Sequence, residues 1–155
     1  MIQRIQTLYL LAIVILSGIT FFSPVADLVN PAQGLHYVLN FKGIYLLQPK
    51  GNTFVSSVWG LMAIAAIVPI VSLFTIFSFK NRIKQIRFSV LNMFFILAYY
   101  IMLFIYVWFA GQRLNAEWTL RFVTAFPLIN LVLNYLAIGA IGKDEKLVKS
   151  LDRLR

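Results

Sequence analysis

A short basic stretch, KNRIKQIR at residues 80–87, separates two long apolar runs and constrains the fold more than any other feature. The flanking runs, 58–79 and 88–112, are almost free of charge, and each is long enough to cross a hydrocarbon core of about 30 Å as a helix. Four positive charges are too costly to place in lipid, and short loops rich in Lys and Arg stay on the cytoplasmic side. The stretch therefore predicts a cytoplasmic hairpin between two transmembrane helices.

The composition supports a membrane protein. Hydrophobic residues make up 61% of the 155 residues and charged residues 12%, whereas charged residues make up about 25% of an average soluble protein. We predict an all-α membrane protein, a four-transmembrane-helix bundle that forms one domain over residues 1–155. The helices are expected at about 5–24, 58–79, 88–110 and 122–142.

The net charge of +9 is distributed unevenly along the chain. Ten of the fourteen basic residues fall in the N-terminus, the 80–87 hairpin or the C-terminal tail, which the predicted topology places on one side. This asymmetry is typical of the positive-inside rule and predicts that both termini are cytoplasmic. Because no soluble module carries a basic face with interleaved aromatics, we expect a lipid bilayer and no nucleic acid as the partner.

The first outer loop, residues 25–57, is expected to contain strands. Tyr37, Leu39 and Phe41 alternate with less apolar neighbours, and a second apolar segment follows at 44–47. Gly and Pro residues punctuate the segments at positions suited to turns. We predict a small extracytoplasmic β-hairpin or three-stranded sheet, continued by residues 53–55.

The tail, residues 143–155, is predicted to form a short C-terminal amphipathic helix. Leu147, Leu151 and Leu154 share one face, which would lie on the inner membrane surface or on a partner. The basic residues of the hairpin are candidates for the same kind of contact. They are Lys80, Arg82, Lys84 and Arg87.

Three asparagines lie within the predicted helices. Asn130 and Asn134 are one turn apart on the fourth helix, and Asn92 on the third helix could meet them. They would form either a polar site for a substrate or quinone-like ligand, or interhelical hydrogen bonds worth about 0.6 kcal/mol each. Because no ionisable residue is predicted at the same depth, the sequence favours the hydrogen bonds.

Arg121 and Arg113 lie near the predicted outer boundary of the membrane. Each could bind a lipid phosphate or a carboxylate. The alternative is that their long side chains simply reach out of the apolar region to the interface. Arg121, with Asn92, Asn130 and Asn134, completes the set of candidate ligand-binding residues.

Residues suited to catalysis are scarce. The chain has one histidine, His36, and no cysteine, and none of its five acidic residues is predicted within the bilayer. A bis-histidine haem, a zinc site of the usual His/Cys type and a histidine-assisted triad are therefore unsupported. We expect no catalytic residue, no metal and no cofactor.

The two ends of the chain and the hairpin resemble a known family. The opening MIQRIQTLYL, the hairpin KNR with QIR, and the closing KDEKLVKS with DRLR are similar to small four-helix membrane proteins from Bacteroidota, a family catalogued as a domain of unknown function. The resemblance covers the whole chain and implies a Gram-negative inner membrane. A looser likeness in layout is to claudin-type tetraspan proteins, whose loop disulfide this cysteine-free chain cannot form.

Two functions are consistent with these observations. The first, which the lack of ionisable residues in the bundle favours, is a non-enzymatic subunit or assembly factor that binds another inner-membrane protein. The second is a component that binds or transports a lipid or a small apolar ligand. A homo-oligomer is compatible with either function.

Overall fold

The structure, a computed structural model, describes residues 3–49, 51–79 and 81–153, with side chains over residues 5–49, 51–79 and 81–145. Four helices form an antiparallel bundle in which each helix packs on the two that neighbour it in a ring. They are α1 (Gln3–Phe22), α2 (Trp59–Phe77), α3 (Arg82–Leu114) and α4 (Phe126–Arg153). A 3-10 turn, Phe122–Ala125, leads into α4.

All four helices are long and apolar enough to cross a membrane. Large apolar side chains cover their outward surfaces, as expected for a bundle surrounded by lipid. The most exposed of these include Leu8, Phe22, Phe74, Phe77, Phe94, Ile101, Trp108, Phe109 and Tyr135. The prediction of four helices that are long and apolar enough to span a membrane is confirmed.

One end of the bundle carries a five-stranded antiparallel sheet, and we call this the sheet end. The strands run in the order β4-β3-β2-β1-β5, and β5 pairs with β1 although nearly ninety residues separate them in sequence. The predicted hairpin or three-stranded sheet was therefore too small. The strands are β1 (Ala26–Asn30), β2 (Leu35–Asn40), β3 (Gly43–Leu46), β4 (Thr53–Ser56) and β5 (Glu117–Leu120).

The pairing of β3 with β4 depends on Gly43, the first residue of β3. Its φ of +156° lies at the edge of the region that side-chain-bearing residues rarely adopt, and an added Cβ would lie 2.5 Å from the Ser56 carbonyl oxygen. Only glycine leaves room for β4 to pair here.

The main hydrophobic core joins the sheet to the bundle. Leu28 and Leu39 of the sheet and Leu103 and Val107 of α3 are fully buried in one cluster. The amide of Asn30 also donates to the Leu114 carbonyl oxygen at 2.9 Å, which ties the end of β1 to the end of α3. The sheet is therefore packed on the bundle rather than tethered to it by loops.

The predicted 80–87 hairpin is mostly helical. Since α3 begins at Arg82, only residues 78–81 separate it from α2, and Arg82, Lys84 and Arg87 lie on its first turns. Arg, Lys and Gln favour helix almost as strongly as Ala. The helix therefore begins before residue 88, where the apolar run and the predicted helix start. With 33 residues, α3 is about 50 Å long and exceeds the thickness of a hydrocarbon core.

The tail is helical as predicted, but it is not a separate helix. From Phe126, α4 continues without interruption to Arg153. Gly142 alone costs about 1 kcal/mol in a helix, which the helix-favouring residues that follow it can offset.

Pro127 is tolerated because it lies in the first turn, where its missing N–H has no helical partner to lose.

Candidate functional site

The three candidate asparagines are buried inside the bundle. Asn92 and Asn130 are 1% exposed and Asn134 is 0% exposed. Asn92 donates to the Ser72 hydroxyl at 2.8 Å, which joins α3 to α2, and Asn130 donates to the Ser17 hydroxyl at 3.0 Å, which joins α4 to α1. The predicted interhelical hydrogen bonds are present for two of the three, with serines as partners.

Several buried polar atoms in the same interior have no partner among the residues that the structure describes. They are Asn92 Oδ1, Asn130 Oδ1, Ser89 Oγ and both side-chain amide atoms of Asn134. Leaving such an atom unpaired costs about 1–3 kcal/mol, and in folded proteins ordered water usually satisfies it. The interior is therefore suited to hold water or another small polar molecule.

A small cavity lies beside Asn130. The space open to the centre of a water molecule is about 20 Å³. This is enough for one water and far too little for a lipid. Ala65 is part of the lining, and its carbonyl oxygen receives no helical hydrogen bond because Pro69, four residues on, has no N–H. The other lining residues are Ser17, Thr20, Val68, Ile96, Tyr99 and Pro127.

Arg121 does not join the asparagines. Its guanidinium donates twice to the Asp27 carboxylate, with Nε–Oδ2 and Nη2–Oδ1 distances of 2.7 Å. The hydrogen bonds from this side chain to Asp27 raise the pKa of Arg121. The pair links β1 to the segment that leads into α4. Of the four predicted ligand-binding residues, the asparagines are thus buried in the bundle, with Asn92 and Asn130 bonded to different helices, and Arg121 lies in a partly exposed ion pair.

Polar contacts at the opposite end of the bundle, which we call the tail end, hold helices together. Arg82 forms an ion pair with Asp144 at 3.2 Å and also donates to the Asp144 carbonyl oxygen, which joins α3 to α4. Gln6 donates to the Ala140 carbonyl oxygen at 3.1 Å, and Gln85 to the Thr75 carbonyl oxygen at 3.0 Å. Arg82, predicted to contact a membrane surface or a partner, thus has an internal partner.

The other candidates for surface contact are only partly described. Lys84 and Arg87 are exposed and have no ion-pair partner within the described ranges. Lys80 and Leu154 lie outside the described residues, as do the side chains of Leu147 and Leu151.

Sequence reasoning missed the serine partners and the ion pairs. A signal was present for the serines, because Ser17 and Thr20 on α1, like Ser72 and Thr75 on α2, are three residues apart in otherwise apolar helices. Such small polar residues commonly mark helix–helix contacts in membranes. No comparable local signal pairs Asp27 with Arg121, since their contact depends on the long-range pairing of β1 with β5.

The chemistry of the interior is that of neutral hydrogen-bonding groups. In the described part of the chain, the buried polar residues are amides and hydroxyls, and no cluster of three or more His, Cys, Asp or Glu residues is suited to hold a metal. Such groups can bind water, orient helices and recognise polar ligands, but they do not supply a buried carboxylate for proton transfer.

Comparison with curated proteins finds no match to this chain. A family model described as "Domain of unknown function (DUF4293)" matches residues 2–154. The match extends over nearly the whole chain, including all four helices and all five strands. The chain therefore belongs to the DUF4293 family of unknown function.

Proposed function

We propose that this chain is a non-enzymatic subunit or assembly factor that binds another protein of the bacterial cytoplasmic membrane. The observation that carries the proposal is the sheet, whose two edge strands are open and carry exposed apolar side chains. Phe54 of β4 is 58% exposed, and Trp118 and Leu120 of β5 are also exposed. Open strand edges with such side chains can pair with an extended segment of another protein.

The attachment of the sheet to the bundle supports the same role. The shared core, the Asn30–Leu114 hydrogen bond and the Asp27–Arg121 pair fix the sheet relative to the helices. A binding surface that is already ordered loses less conformational entropy on association than a flexible loop does. The neutral bundle interior also fits a scaffold better than a proton-coupled transporter.

The proposed orientation places the sheet in the periplasm and both termini in the cytoplasm. It rests on the concentration of basic residues in the N-terminus, residues 80–87 and the tail. Because the chain has no cysteine, single cysteines at Gln33 and Ser150 provide unambiguous labels. They should react with a membrane-impermeant reagent from opposite sides, and labelling of both from one side would contradict the orientation.

The partner can be tested by purifying the tagged chain from native membranes in mild detergent. We expect a stoichiometric membrane protein to copurify with the wild type and with Leu47→Lys, and to be lost from Phe54→Lys. Leu47 is a matched control because it is also an exposed apolar residue of the sheet end but lies just outside the strands. Purification without a partner, or equal retention by both variants, would contradict binding at the β4 edge.

The alternative function, binding of a lipid or small apolar ligand, is not supported at the residues first considered for it. Arg121 is paired with Asp27, and the cavity beside Asn130 has room for one water. A different surface of the molecule has the properties that such a ligand requires.

A further inference from the structure

A groove separates the β3–β4 part of the sheet from the last turns of α3. Its volume is about 270 Å³, and we call it the Arg113 groove after its one charged residue. The other lining residues are Ile44, Val55, Ser56, Tyr106, Phe109, Ala110 and Leu114, which are mostly apolar. The groove therefore combines an apolar surface with a single positive charge.

Arg113 differs from the other arginine of the sheet end. The guanidinium of Arg121 is held by Asp27, whereas Arg113 is exposed and forms no ion pair with any described residue. An arginine presents several N–H donors in a planar fork that fits a phosphate with two parallel hydrogen bonds. Arg113 is thus free to bind an anion at the edge of an apolar groove.

The position of the groove matches the headgroup level of a bilayer. Trp108 and Phe109, the second of which lines the groove, are 65% and 70% exposed. Tryptophan is enriched where transmembrane helices meet the membrane–water interface. Arg113 lies about one turn beyond this aromatic pair, at the height expected for lipid phosphates rather than acyl chains.

We propose that the Arg113 groove binds the phosphate and the adjoining part of one chain of an anionic glycerophospholipid from the surrounding bilayer. Its volume is slightly below the range of about 300–1,000 Å³ that is common for small-molecule sites. The groove therefore holds only the part of the lipid next to the headgroup, with the rest of both chains in the membrane. Val55 and Ser56 of β4 line the groove, but binding of lipid to the purified chain requires no protein partner, so the two proposals can fail independently.

Arg113 also lies in the last turn of α3, where a positive charge interacts favourably with the unpaired carbonyl groups of the helix end. That role would stabilise the protein without any lipid. The two roles make different predictions, because only lipid binding depends on the shape of the groove and on the presence of a phosphate.

The test is a lipid titration of delipidated full-length protein in neutral detergent, followed by native mass spectrometry. The probes are phosphatidylglycerol and phosphatidylcholine with the same acyl chains, and oleate as a free anionic amphiphile. We expect the wild type to bind phosphatidylglycerol most tightly. Arg113→Gln should weaken that binding about tenfold, the loss expected for a charge-assisted hydrogen-bonded contact.

Two further variants separate the groove from general charge effects. Lys42→Gln removes one positive charge from the same end of the molecule, outside the groove, and should bind phosphatidylglycerol like the wild type. Val55→Trp keeps Arg113 but fills the groove, and should lose binding to a similar extent as Arg113→Gln. Circular dichroism of each variant checks that the fold is retained, and Arg113→Lys replaces Arg113→Gln if the latter does not fold.

Several outcomes would overturn the proposal. Equal weakening by Lys42→Gln and Arg113→Gln would indicate general attraction to anionic lipid. Unchanged binding by Val55→Trp would show that the lipid does not bind in the groove. Oleate binding as tightly as phosphatidylglycerol would identify a fatty acid rather than a phospholipid as the ligand. If Arg113→Gln lowered thermal stability but did not weaken lipid binding, the role of Arg113 would be to stabilise the end of α3.

Discussion

The two halves of α3 are held in the bundle by different kinds of contact. Towards the sheet end, its buried face carries Leu103 and Val107, which pack in the large apolar core with the sheet. Towards the tail end, the same face carries Gln85, Ser89 and Asn92. The buried residues of α3 recur every three or four positions and form one face. This face is apolar towards the sheet end and polar towards the tail end.

The proposed topology accounts for the difference, because it places the two ends in different solvents. Where the sheet meets water, burial of apolar surface contributes about 25 cal/mol per Å². Within lipid, an apolar side chain gains little by moving from acyl chains to another helix, so close packing and hydrogen bonds must hold the helices together. We expect the stability of the sheet end to depend on how fully apolar side chains fill its core. We expect the stability of the bundle interior to depend on hydrogen bonds between polar side chains.

The largest effect is expected from Leu103→Ala. This fully buried side chain lies in the core shared by α3 and the sheet, and its truncation leaves a cavity. We expect a loss of about 2–5 kcal/mol in the free energy of unfolding, measured by reversible denaturation in mixed micelles. Leu97→Ala, at an exposed position of the same helix, is the control and should cost much less.

Gly43→Ala tests whether the sheet and the bundle unfold as one unit. The added Cβ would meet the Ser56 carbonyl oxygen, and alanine strains the backbone at this φ, so we expect a loss of about 1–3 kcal/mol. Gly139→Ala is the control, because a Cβ on that helical glycine meets nothing within 4 Å. If the molecule unfolds as one unit, tryptophan fluorescence and helicity should show the same unfolding transition, at lower stability than in the wild type. Different transitions for the two signals would show that the sheet and the bundle unfold separately.

Asn130→Leu and Asn134→Leu sharpen the contrast inside the bundle. Asn130→Leu removes the hydrogen bond to Ser17 and should cost roughly 1 kcal/mol. Asn134→Leu removes two buried amide atoms that have no described partner, so it should be neutral or stabilising. Both are measured by the same denaturation. A loss of more than about 1 kcal/mol for Asn134→Leu would instead indicate a bound water or ligand at that amide.

The smallest loss of stability from breaking a described contact is expected from Asp27→Asn. The Asp27–Arg121 pair is well aligned but partly exposed to solvent, with side-chain exposures of 26% and 41%. Such pairs typically contribute about 0.2–1 kcal/mol, and salt weakens them. The expected loss in unfolding free energy should therefore shrink at high ionic strength. Glu117→Gln, which alters a nearby carboxylate that has no described ion pair, should not change stability.

The sequence predicts the parts of the fold that depend on local pattern. Uncharged apolar runs locate all four helices, alternation locates β2, the apolar segment at 44–47 locates β3, and the continuation of the sheet at 53–55 locates β4. The strands that it misses are β1 and β5, which pair with each other across the chain. β5 alternates polar and apolar residues over only four positions, the shortest run in which alternation predicts a strand.

The candidate site is predictable to a similar extent. The burial of Asn92 and Asn130 and their interhelical hydrogen bonds follow from an amide in an apolar helix, since such a group needs a partner. The identities of the partners, Ser72 and Ser17, depend on how neighbouring helices are rotated. The Arg113 groove depends on how the sheet packs against α3, a relation that no local pattern encodes.

The position of β5 has a consequence for how the chain folds. Strands β1 to β4 are consecutive and can pair as soon as they are synthesised, whereas β5 follows α3 and joins β1 only after that whole helix has been made. Loop-closure entropy makes such long-range pairing the slower step. Until it forms, the backbone of β1 has an unpaired edge, which is an opportunity for misassembly or for a chaperone. Completion of the sheet thus requires that α3 has already been made and has brought β5 back to the sheet end.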